Sequence, residues 1–193
     1  MKYFKHSVLS LFLGVQAFVL TYIDDFLKTK LGPDEKINFL GLADNPLDVG
    51  LGFVYVAFIG WAVYFFAGAT IEGGVRAVIA FFLGQIGALG MVWIGEIGGN
   101  ALFMIALGIL VFSAAINMLE LTPKWFNLLP AAFAACATFF GLYLHSFGGT
   151  TDQILNTLLL ENVYLWCGLI TGFITILFRT WFDKVWVLKE EAK

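Results

Sequence analysis

The sequence predicts an all-α, polytopic membrane protein with six transmembrane helices, arranged as two inverted three-helix repeats. Three observations predict this. Of the 193 residues, 60% are hydrophobic and only 13% are charged, against about a quarter charged in soluble domains. The charges gather in a few clusters, separated by apolar runs of the roughly 20 residues that a helix needs to cross a bilayer. One stretch also occurs twice. Phe58–Gly74 laid over Phe133–Gly149, seventy-five positions on, matches at five of seventeen places: Phe58/Phe133, Ala62/Ala137, Phe65/Phe140, Gly73/Gly148 and Gly74/Gly149. Composition alone gives about one or two such matches.

In order, the spans are about Ser7–Leu27, Leu51–Ala69, Val75–Gly95, Ala101–Leu119, Phe126–Leu144 and Asn162–Phe182. Each is expected to be helical, because an open sheet leaves backbone groups unpaired in lipid. The first follows Lys2 and Lys5 as a secretion signal does. However, Thr21-Tyr22-Ile23-Asp24 offers no small-residue cleavage site, so it reads as a retained helix. Residues 28–50 form an outer loop; Pro33, Pro46, Asp34, Asp44 and Asp48 suit an ordered cap with a short helix around Asp34–Leu40. Span three carries a small-residue face (Ala80, Gly84, Ala88) with Gly87 beside it, and span six carries Gly168 and Gly172. These glycines read as packing seams. Pro130, early in span five, either starts that helix or breaks it into a re-entrant piece. Cys136 and Cys167 fall in apolar runs and read as small core residues. Residues 183–193 form a charged tail.

Charge orients the chain. One side holds Lys2, Lys5, Arg76, Lys124, Arg179, Lys184, Lys189 and Lys193; the other holds only Lys28, Lys30 and Lys36. The positive-inside rule then places both termini in the cytoplasm. Three crossings per repeat invert the second copy relative to the first, a plan common in transporters. The outer side carries the acids Asp24, Asp25, Asp34, Glu35, Asp44, Asp48, Glu96, Asp152 and Glu161.

With these boundaries the span centres hold no Asp, Glu, Lys, Arg or His. Proton relays and buried counter-ions need such a group, so passive permeation is expected. His6 and His145 fall at opposite ends of the membrane, which disfavours a haem held between them. No metal, phosphate-loop or hydrolase spacing occurs. No enzyme activity, cofactor or metal is expected. The polar groups left at depth are Gln16, Gln85, Thr138, Thr171 and Thr175, the candidates to line a pore; their plainer role is hydrogen bonding between helices. Thr138 has a third option, bonding back to its own preceding turn. Asp24, Asp25 and Glu96 are candidates for a negative outer vestibule. Glu72 and Arg76, four apart, are spaced to pair across one helical turn.

Two strings carry a family resemblance. Trp61-Ala62-Val63-Tyr64-Phe65-Phe66-Ala67 with Ile71-Glu72-Gly73-Gly74 is similar to one signature of the domain-of-unknown-function 1097 family, which includes YcdZ-like bacterial inner-membrane proteins. Pro130-Ala131-Ala132-Phe133-Ala134-Ala135-Cys136-Ala137-Thr138-Phe139-Phe140-Gly141 resembles its second signature. The resemblance covers roughly Phe53 to Trp181 and implies a multi-pass protein of the bacterial inner membrane. It supplies no activity and no functional residue.

The sequence therefore leads to a channel or facilitator for a small neutral or weakly basic solute. A non-transporting subunit that scaffolds a larger membrane complex is the alternative. The lipid bilayer is the expected partner and a homo-oligomer the expected assembly; no basic patch supports nucleic acid.

Overall fold

The computed structural model describes residues 2–31, 52–145 and 149–191, and among them there is no strand. Six α-helices follow one another: α1 (Lys2–Leu31), α2 (Val54–Phe66), α3 (Ile71–Ile97), α4 (Leu102–Met118), α5 (Leu129–His145) and α6 (Ile154–Glu191). Single 3-10 turns lie at Leu119–Leu121 and Thr151–Gln153. Among the described residues four stretches are long and apolar enough to cross a membrane: His6–Phe26, Ile71–Ile97, Leu102–Leu121 and Thr151–Trp186. Helices α2 and α5 are also apolar but have only 13 and 17 residues. At 1.5 Å per residue they reach about 20 and 25 Å, short of the roughly 30 Å hydrocarbon layer. These two short helices are the ones that carry the repeated stretch. The short helix expected around Asp34–Leu40 lies outside the described residues.

Local chemistry sets the ends. Thr70 caps α3, its Oγ1 accepting the Gly73 N–H at 3.0 Å, which satisfies one of the orphan donors of a helix start. Pro130 is the second residue of α5, where an amide has no helical partner to lose. Pro130 thus starts the helix and does not break it, and α5 runs unbroken to His145. Glu72 does not pair with Arg76 as its spacing suggested. It meets Lys124 at 2.5 Å, while Arg76 donates to the Lys124 carbonyl at 2.8 Å and to Asn127 Oδ1 at 3.0 Å. Both charges thus tie the start of α3 to the α4–α5 connection.

Packing is closest where α2 meets α6 and where α3 meets α4 and α5. At several glycines the backbones of neighbouring helices touch, most closely at two. A Cβ on Gly84 of α3 would overlap the carbonyl oxygen of Ala132 in α5, and a Cβ on Gly168 of α6 would overlap that of Ala57 in α2. Gly87 and Gly172 instead make room for side chains, those of Ile116 and Tyr64. Apolar association gains nothing from water in lipid, so such close approach supplies the dispersion that holds helices together. Phe81, Phe139, Leu142 and Leu165 fill the centre with no exposed surface. Helix α4 is peripheral, with only Gly108 and Ile116 buried. Helix α1 runs antiparallel to α6, stacking Phe12 on Phe178.

Helix α6 begins eight residues before the span expected at Asn162. The extra two turns bring Glu161, expected among the outer acids, into the packed interior. Its side chain is 0% exposed.

Candidate functional site

The interior polar junction lies where α3, α5 and α6 meet. Glu161 is seven residues into α6, about 10 Å along it, whereas Gln85 and Thr138 sit near the middles of α3 and α5. Gln85 Nε2 donates to Glu161 Oε2 at 2.9 Å. Asn162 Nδ2 donates to Gln85 Oε1 at 3.1 Å and to the Leu158 carbonyl at 2.8 Å. Asn162 Oδ1 is buried and has no partner. The carboxyl has neutral partners, and no ion pair to it occurs among the described residues. A charge so placed is costly unless it is satisfied.

Thr138 makes the junction adaptable. Its Oγ1 lies 3.0 Å from the Ala134 carbonyl oxygen, 3.1 Å from that of Ala135 and 2.5 Å from Glu161 Oε1. A hydroxyl has one proton and two lone pairs. Directed at the helix carbonyls, that proton leaves a lone pair to accept from a protonated Glu161. Directed at Glu161, it serves the ionised form and the backbone bonds lapse. One set of heavy-atom positions therefore accommodates two proton arrangements.

A cavity of about 430 Å³ lies between α3, α4 and α5, lined mainly by apolar side chains, with Glu96, Asn100 and Tyr143 as its polar members. Met91 also lines it, and its sulfur lies 3.9 Å from that of Cys136. Cys136 is within electrostatic reach of Glu161. None of Gln85, Thr138, Glu161 and Asn162 lines the cavity itself.

The five polar residues expected around one passage fall into two sets. Gln85 and Thr138 meet at Glu161. Gln16, Thr171 and Thr175 meet between α1 and α6: Gln16 Nε2 donates to the Thr171 carbonyl at 3.3 Å and Thr175 Oγ1 donates to Gln16 Oε1 at 2.8 Å. Thr171 and Thr175 also bond back to Cys167 and Thr171 carbonyls. The sets sit on α6 ten positions apart, roughly 15 Å. Gln16 and Gln85 do not share a centre.

The three vestibule acids also part. Asp24 is buried, and its carboxylate accepts the Val54 N–H at 3.2 Å and the Tyr164 hydroxyl. Phe53, at the N-cap of α2, has no capping side chain, so Asp24 satisfies that helix start from α1 and its charge faces the positive end of the dipole. Glu96 accepts from Thr151 at 2.6 Å, and Asp25 is exposed.

Glu161, Asn162 and Tyr164 escaped the sequence reading because the last span was started just after its nearest acid. The signal was present: Glu161 stands between Leu158-Leu159-Leu160 and Val163-Tyr164-Leu165-Trp166, an acid inside an apolar run.

Fold and junction together define an apolar, helical, multi-pass type of protein that holds a carboxyl in its interior among neutral partners. The chain belongs to the family described as Protein of unknown function (DUF1097), whose model matches residues 46–180. That match takes in α2 to α5 and most of α6, and it leaves α1 outside. Comparison with curated proteins finds no match, and comparison with solved structures finds none.

Proposed function

We propose that the protein passes a small neutral or weakly basic solute across the bacterial inner membrane, as a channel or facilitator. In this reading it crosses six times, with both termini cytoplasmic, as two oppositely directed halves, α1–α3 and α4–α6. The observation that carries the transport reading is the junction of Gln85, Thr138, Glu161 and Asn162. It gathers donors and acceptors in the interior of an apolar bundle.

Recurrent spacing supports the two halves. Val54 and Leu129, which start α2 and α5, are seventy-five apart, and so are Ala57 and Ala132. Gly84 and Gly168, which press on those two alanines, are eighty-four apart, and so are Phe82 and Trp166, whose rings meet at 6.3 Å. A two-fold axis exchanging the halves would pass between that last pair. Short apolar segments at corresponding places in two inverted halves mark substrate sites in transporters, and α2 and α5 fit that description.

The test is stopped-flow light scattering on proteoliposomes challenged with glycerol, urea or methylammonium. At least one probe is expected to reswell them several-fold faster than protein-free vesicles. Equal rates for all three would remove the reading. The uncovered face of α4, where Leu102, Phe103 and Leu110 are exposed, favours a second reading, in which another copy or a larger complex packs there within the bilayer. Copurification of a stoichiometric partner, with no flux, would support the scaffold instead.

A further inference from the structure

We propose that Glu161 is a proton-exchange site, loading and releasing one proton during each solute passage; this rests on the transport reading above. The sequence argued for passive flux because no carboxyl stood at depth, and Glu161 removes that ground. Its side chain is fully buried, so no solute reaches it without rearrangement, whereas a proton needs only a transient water within hydrogen-bond reach. With only neutral partners, the site holds a net charge or none according to that single proton. A change of this size in low dielectric biases a helix junction between two packings.

The chemistry balances within the site. Protonated Glu161 donates through Oε1–H to Thr138 Oγ1, whose own O–H stays directed at the Ala134 or Ala135 carbonyl. On release the proton passes to water, the Thr138 hydroxyl turns to Oε1, and its bond to the backbone of α5 is given up. Gln85 donates to Oε2 in both forms. The Thr138–Glu161 bond between α5 and α6 thereby reverses direction and becomes charge-assisted, while a bond within α5 is lost. On the neighbouring elements, Tyr55 of α2 and Cys136 of α5 are the titratable groups in electrostatic reach of Glu161, and α3 presents the neutral Gln85. Tyr164, one turn further along α6, is bonded to Asp24 of α1.

Infrared spectroscopy of the full-length protein in lipid tests this without any solute. As bulk pH is raised, a protonated-carboxyl stretching band worth one group is expected to disappear reversibly and to shift in heavy water. Glu161→Gln should lack it. Thr138→Val, which removes the acceptor, should move its frequency and midpoint. A wild-type spectrum with no such band, or one that Glu161→Gln leaves unchanged, overturns the proposal, and the wild-type titration decides even if a variant fails to fold. Flux is measured separately in the same proteoliposomes, using whichever of the three probes permeates. If the band titrates without flux, transport fails and the proton site stands. If flux persists without the band, transport stands as passive. Where both hold, collapsing the pH gradient is expected to slow net movement several-fold; an unchanged rate overturns the coupling.

Discussion

The crossings of α3 with α5 and of α2 with α6 share a backbone contact and differ in what surrounds it. In each, a glycine admits the carbonyl of an alanine, Gly84 on Ala132 and Gly168 on Ala57. Around the first lie Gln85, Thr138, Glu161 and Asn162. On the proposed two-half reading, with offsets of eighty-four and seventy-five, the second offers Leu169, Val63, Ala77 and Val78, of which Leu169, Val63 and Ala77 are buried. The apolar version packs without difficulty. On that reading polar groups at the first crossing are not a requirement of the architecture, and a buried carboxyl that packing does not need supports the proposed transport.

The strongest way to break this comparison is at the shared contact. Gly84→Ala and Gly168→Ala should each push two backbones apart and cost about 2–3 kcal/mol, as overpacked interfaces do. Thermal unfolding in detergent, followed by tryptophan fluorescence, checks it; a large loss for one and none for the other would mean that the crossings are not equivalent. Next comes Gln85→Leu, which installs the residue found at the second crossing. It strips Glu161 Oε2 and Asn162 of a partner and should cost about 1–3 kcal/mol, with flux falling at least as far as stability. Asp24→Ala removes the cap of α2 and the acceptor of Tyr164, for about 1–2 kcal/mol, and should leave flux per folded molecule unchanged. Gln16→Leu is the mildest, about 0.6 kcal/mol for a hydrogen bond between membrane helices; a large effect on flux would move the passage to the α1–α6 seam.

The helices themselves were legible because apolar run length and glycine spacing act locally along the chain. The first membrane stretch, His6–Phe26, nearly coincides with the span drawn from Ser7 to Leu27, and Gly84 and Gly168 could be picked out as seams. Partnership was not legible. Asp24 and Glu161 look like ordinary loop acids in one dimension. Only the fold shows that one reaches an uncapped helix start and that the other is carried inward by two additional turns of α6. Grouping Gln16 with Gln85 failed for a related reason: similar depth in separate spans says nothing about which face each residue presents.

Solvent access most directly tests whether the α3–α5–α6 junction is the passage. Gln85→Cys and Leu169→Cys occupy matching places in the two crossings, and both positions are buried, at 3% and 8% exposed. With Cys136 and Cys167 replaced by serine, each single-cysteine protein is treated in proteoliposomes with a water-soluble, membrane-impermeant thiosulfonate. Reaction at position 85 and none at position 169 is the predicted result. Equal labelling of both, or labelling of 169 alone, would contradict the account.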